Sequence, residues 1–143
     1  MAAPSQILPR MSEPSKAGCQ VTTHFAAHIV MAVRYREGFQ DAFPCYENVV
    51  LVCAETDDEA LNQASQIGRS GAAIEGDDFH WNGRPARWEF VGVRKLIECR
   101  TPGSLENRIS HGTELTYSQF TLESEAALAR FANGDAVQLL CEE

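Results

Sequence analysis

Glu75, Asp77, Asp78, His80, Trp81 and Arg84 place carboxylates, an imidazole, an indole and a guanidinium within one short stretch of chain. Those residue types suit an acid/base site or a recognition loop. The same stretch carries Asn82-Gly83 between aromatic segments, the strongest short-range signal for a hairpin, because both turn positions need positive φ. A two-residue turn sets Trp81 opposite Arg84 and Asp78 opposite Arg87, an indole with a cation and a pair of opposite charges. These pairings account for the residue types without a ligand, so a solvated turn is the preferred reading and a ligand site the rival. Trp88 begins the following strand and is read as core in preference to an exposed interface anchor. The candidate binding residues are therefore Asp78, His80, Trp81, Arg84, Arg87 and Trp88, with no catalytic residue and no metal ligand assigned.

Other chemistry-bearing residues are explained more simply. His24 and His28 have a metal-ligand spacing only on a helix; on a strand four residues span about 13 Å, too far for one ion. Two half-buried histidines are expected. Cys53 sits in an apolar run, where a thiol behaves as a small inert hydrophobe. Cys45 and Cys99 lie nearer to loops, but nothing in the sequence pairs them with His80 or His111 as a base. Ser104, Ser110 and Ser118 lack a nucleophile-elbow context. Gly68, Gly71 and Gly76 match neither phosphate-loop nor dinucleotide spacing, so no cofactor is expected.

The elements that must position these residues follow from patterning. His24 to Tyr35 is rich in apolar and β-branched residues and reads as a strand. Gly38 to Pro44 is a loop. Tyr46 to Ala54 is a second strand whose run Val49-Val50-Leu51-Val52-Cys53 predicts cover on both faces. Thr56-Asp57-Asp58-Glu59 has capping-box spacing and puts acid where the helix dipole favours it, so capping accounts for these acids better than an acidic docking face. Ala60, Leu61, Ala64 and Ile67 then recur at helical spacing, and Gly68 or Gly71 closes the helix.

After the hairpin, Trp88 to Ile97 is a strand with Trp88, Phe90 and Gly92 on one face, and Pro85 keeps the opposing arm short. Thr101 to Gly112 is a polar connection and Glu114 to Phe120 a further strand. Thr121 or Ser124 caps a second helix with Ala127, Leu128 and Phe131 as its buried stripe and Asn133-Gly134 as its stop. Ala136 to Cys141 closes the chain. The expectation is an α+β fold: a mainly antiparallel sheet of about five strands, two helices packed on one face, order ββα(hairpin)ββαβ, with a ferredoxin-like arrangement as one possibility.

The chain has 143 residues, 20 acidic against 12 basic, and a net charge of -8. Such a chain buries roughly two thirds of its unfolded surface and needs no metal or disulfide. Residues 1–22, with Pro4, Pro9 and Pro14 among small polar residues, read as a disordered tail, and 23–143 as one α+β domain. The negative charge argues against nucleic acid and anionic membranes as partners. Five cysteines, widely spaced and odd in number, fit reduced thiols in a cytoplasmic protein. Neither a signal-peptide core nor a run of about eighteen apolar residues is present in the sequence.

The segment from Glu47 to Ala64, ending Ala-Glu-Thr-Asp-Asp-Glu-Ala, and the later strand Trp-Glu-Phe-Val-Gly-Val-Arg-Lys-Leu from Trp88 resemble the bacterial family known as domain of unknown function 4288. The layout of Glu114 to Phe120 and the elements after it is similar as well. The resemblance spans residues 24–141 and implies a compact bacterial α+β protein without an assigned activity. On these grounds the expected function is a non-enzymatic binding or interaction module. It would take a protein partner or self-associate through a sheet edge or exposed aromatics. One version is an antidote-like acidic partner that masks a basic protein. The alternative is a small-ligand-binding domain or small enzyme using the Asp78, His80 and Arg84 region.

Overall fold

The computed structural model describes residues 23–73, 76–100 and 109–141. The expected tail 1–22, Glu75, the side chain of Asp77, Ser104 and most of the 101–110 connection lie outside the described residues.

The described residues form six strands and two helices: β1 (His24–Tyr35), β2 (Cys45–Cys53), α1 (Asp57–Ala73), β3 (His80–Trp81), β4 (Arg84–Glu98), β5 (Phe120–Thr121), α2 (Glu125–Ala132) and β6 (Leu140–Cys141). The class is α+β with a mainly antiparallel sheet. The main sheet has the order β2-β1-β4-β3, and β5 and β6 form a separate two-stranded sheet. A ferredoxin-like arrangement would put β2 inside the sheet; β2 is instead an edge strand, paired antiparallel to β1 from Cys53 opposite His24 to Cys45 opposite Ala32.

The strand covered on both faces is β1 and not β2. Phe25, Ala27, Ile29, Met31 and Val33 are buried on one side of it, Ala26, His28 and Ala32 on the other. Its near-continuous apolar run belongs in the middle, where neighbours occupy both edges and both faces. β2 alternates instead: Val52 is buried, whereas Val49 and Leu51 are 48% and 52% exposed. Its apolar run reflects one packed face and an open second one.

α1 starts as its sequence prescribes. The Glu59 amide donates to the Thr56 hydroxyl (3.2 Å), and the Glu59 carboxylate reaches back to accept from the Glu55 amide (3.2 Å). The helix does not stop at Gly68 or Gly71 but runs through both, and these glycines join Ala60 and Ala64 as its buried stripe, while Leu61 stays exposed. Close approach explains the glycine: a Cβ on Gly68 would lie 2.3 Å from Phe90 Cδ2 on β4 and 3.1 Å from Ile29 Cγ2 on β1. A row of small residues lets the helix backbone settle onto the sheet, with Ile29, Met31 and Val33 fully buried beneath the layer. Burial of a side chain of that size stabilises the fold by about 1.5–3 kcal/mol.

Two irregularities between β1 and β4 change which side chains share a face. The register shifts between His28 and Ile29 and again between Val30 and Met31, so Val91 and Arg94 are extra residues on β4. Each bulge inverts the alternation beyond it. Gly92 therefore stands opposite Val30, across the sheet from Trp88 and Phe90 rather than beside them, and Val93 takes the core position opposite Ile29.

The strand expected over Glu114 to Phe120 is reduced to a bridge between Arg100 and Glu114 and the two residues of β5, and the expected closing strand to Leu140 and Cys141. α2 is capped by Ser124, whose side chain accepts from the Ala127 amide, and ends at Asn133 with Gly134 at φ 87°. It does not join α1 on the main sheet. Its Phe131 packs edge-on to Phe120 of β5 at 5.5 Å between ring centres, and none of its residues is buried. The stripe expected from Ala127, Leu128 and Phe131 is thus only partly used.

Candidate functional site

The hairpin has the expected turn. Asn82 and Gly83 take φ of 51° and 74°, and Trp81 pairs with Arg84 and His80 with Pro85. The cross-strand contacts differ from those expected. The Arg84 guanidinium lies over the Tyr35 ring, 3.7 Å from its centre, rather than over Trp81, and donates to the carbonyls of Glu37 (2.7 Å) and Phe39 (3.4 Å). Arg84 thereby ties the hairpin to the 36–44 loop. The ladder ends at His80, so Asp78 sits in the 3-10 turn Gly76–Asp78 and Arg87 has Glu89 as its carboxylate neighbour at 3.6 Å.

Asp78, His80 and Arg84 do not meet. The His80 ring nitrogen Nδ1 contacts the backbone carbonyl of Asp78 (2.9 Å), and among the described residues no hydrogen bond or ion pair joins the three side chains. Trp88 is buried within an aromatic cluster, stacked on Phe79 at 5.4 Å and edge-on to Tyr46 at 5.4 Å and Trp81 at 6.5 Å. Trp88 and Trp81 serve the end of the core, and the exposed members of the candidate set are Asp78, His80 and Arg87.

On the opposite face of the sheet lies a polar network that sequence reasoning missed. His28 is 3% exposed at the middle of β1. Its Nδ1 meets the Glu47 carboxylate of β2, and its Nε2 lies 2.5 Å from the Thr116 hydroxyl. A carboxylate only accepts, so Nδ1 carries the proton and Nε2 is directed at Thr116. Arg94, the bulged residue of β4, donates twice to Glu47 (2.7 and 3.0 Å). This hydrogen bonding holds the Glu47 carboxyl below its ordinary range, with His28 adding to the effect and burial opposing it. The one sequence signal was a glutamate and a histidine inside otherwise apolar strands.

Hydroxyl, imidazole and carboxylate in a row have the order of a nucleophilic relay. The imidazole is sealed from solvent, and its hydroxyl partner belongs to the segment that covers it, so the contacts explain docking of that segment. Further polar contacts repeat the pattern: Lys95 donates to the Tyr117 carbonyl and to Ser118 Oγ (3.1 Å), Cys99 Sγ to the Leu115 carbonyl (3.4 Å), and Arg94 to Cys141 Sγ (3.7 Å). Burial pushes the Cys99 thiol pKa up, which makes it a poor nucleophile. Among the described residues no group of three His, Cys, Asp or Glu could hold a metal ion, and no helix is long and apolar enough to cross a membrane. A depression beside the β5–β6 sheet, lined by Thr121, Glu123 and Val137 to Leu140, contains none of the candidate residues.

The two edges of the main sheet differ. β4 carries both bulges, Pro85 and several charges, and its start is covered by β3. β2 pairs with β1 without a register shift over nine residues, contains neither proline nor lysine, and has no strand paired to its outer side among the described residues. Its single charge, Glu47, is already engaged by His28 and Arg94.

The profile of a family described as a domain of unknown function (DUF4288) matches residues 24–117, more than half of the chain, and the chain belongs to that family. No curated protein and no solved structure matches it.

Proposed function

We propose that this member of the DUF4288 family is a non-enzymatic interaction module that takes a protein partner by strand addition along β2. The observation that carries this reading is the open, unbulged outer edge of β2 with Leu51 52% exposed beside it. Folded proteins blunt such edges with lysine, proline, bulges or cover, because unpaired amides and carbonyls invite another strand. β4 is protected in these ways and β2 in none of them. In strand addition the backbone bonds supply affinity and the alternate side chains supply specificity; here those side chains are Val49 and Leu51.

A small enzyme or ligand site at the hairpin has weaker support, since Arg84 is engaged with Tyr35 and the loop carbonyls.

A photo-crosslinking side chain at Leu51, introduced in the native host, tests the proposal. The expected result is a covalent adduct with a protein, absent when the same group replaces exposed Leu140 of β6. Equal labelling at both positions, or none at Leu51, overturns the reading.

A further inference from the structure

We infer that the strand added to β2 is β2 of a second copy of this chain, running antiparallel about a two-fold axis through Val50; the inference rests on the strand-pairing reading above. Two features of the edge suit it to itself.

The side chains match. Residues directly opposite in an antiparallel pair share a face, so an axis at Val50 sets Val49 of each copy against Leu51 of the other. The two half-exposed aliphatic residues of each edge then cover one another in a single four-residue patch. Cross-strand apolar pairs of this kind stabilise a sheet.

Charge does not oppose the contact at its centre. The chain carries a net charge of -8, enough to discourage a face-to-face dimer, but within β2 the only ionised group is Glu47, and its carboxylate is paired with the Arg94 guanidinium. The ends add no counter-charge: the C-terminal end of β2 leads into Glu55, Asp57 and Asp58, and Arg34 beside its N-terminal end is already paired with Glu89.

The size of the contact sets its strength. A single strand pairing falls short of the roughly 800 Å² per partner of a standard stable interface. The product is therefore a concentration-dependent dimer whose main sheet continues through eight strands, four from each copy.

Sedimentation equilibrium of the purified full chain is the test. The expected mass rises from 15.8 kDa toward twice that value as concentration climbs through the micromolar range. Leu51→Lys and, separately, Val49→Lys each weaken association by about tenfold or more, in line with the use of lysine to block edges, while leaving the melting temperature of the exposed sites' host fold unchanged. A chain that stays monomeric at about 500 µM, well above the expected range for such a small contact, or lysine variants that dimerise like the parent, overturns the inference. A monomeric chain that crosslinks to a different protein through Leu51 refutes the second copy but leaves strand addition standing; a monomeric chain with no adduct refutes both.

Discussion

The Nε2 atom of His28 and the hydroxyl of Thr116 stand 2.5 Å apart, joining residues 88 positions apart in sequence. The contact fastens the segment after Gly112 to the centre of the sheet, and it lies in a region where little apolar area is buried, since Leu115 and Tyr117 on either side of Thr116 are both exposed. Polar contacts therefore carry much of the docking. Thr116→Val keeps the shape and removes the hydroxyl, leaving a ring nitrogen without its partner; the expected loss is about 1–2 kcal/mol. Urea unfolding reads the stability, and hydrogen exchange at residues 114–118 should accelerate more than exchange in β1. Unchanged exchange in that segment would refute its attachment through His28.

Glu47 and Glu89 make stability depend on acid. Hydrogen bonding to Arg94 lowers the Glu47 pKa and hydrogen bonding to Arg34 lowers that of Glu89. A carboxyl whose folded pKa lies below its unfolded one contributes stability that is fully present above the unfolded value and is lost as pH falls through the folded value. The ordinary value is 4.5, so the melting temperature should begin to fall as pH drops through that value and continue below it. Glu47→Gln should lower stability at neutral pH and flatten the acid limb. Parallel melting profiles for parent and variant between about pH 6 and pH 3 would show that Glu47 is not a source of the acid dependence.

What could be read in advance depended on how local the determining physics was. β1, the Asn82-Gly83 turn, the Thr56 to Glu59 cap and the Ser124 cap are settled by neighbours within a few residues, and each stands where patterning put it. The edge position of β2 is not local. An apolar run of five residues looks the same whether both faces are covered or one is left open, and only the order of strands tells them apart. Bulges at Val91 and Arg94 defeated the face assignment of Gly92 because an inserted residue leaves no mark in an alternating pattern. Gly68 illustrates the opposite ambiguity, since a glycine that ends a helix and one that admits a neighbouring ring are the same letter. The hairpin residues were legible as a turn, but Arg84 found Tyr35 and the loop carbonyls, partners 45 or more positions away in sequence.

Gly68 separates helix propensity from packing. Alanine in a helix interior is favoured over glycine by about 1 kcal/mol, so propensity alone predicts that Gly68→Ala stabilises. The new methyl would meet Phe90 at 2.3 and 2.6 Å, and overpacking of a core costs about 1–3 kcal/mol. Both contacts fall on a ring flanked by the sheet, and a ring moves less easily than the end of a flexible chain. Gly68→Ala should therefore lower stability, whereas Ser70→Ala at an exposed position of the same helix should raise it by a few tenths of a kcal/mol. A Gly68→Ala variant as stable as Ser70→Ala would mean that α1 sits farther from β4 than described.

Arg84→Lys distinguishes a structural role for the hairpin cation from a ligand-binding one. Arginine places a flat guanidinium on Tyr35 and sends donors to the Glu37 and Phe39 carbonyls at once. Lysine keeps the charge but has neither the plane nor the fork. If Arg84 pins the 36–44 loop, the substitution costs about 1 kcal/mol and hastens hydrogen exchange at residues 37–40. A cation reserved for a ligand would have no such bearing on the free protein, so a variant with parental stability and parental exchange in the loop would return the hairpin to the front of the search for a binding site.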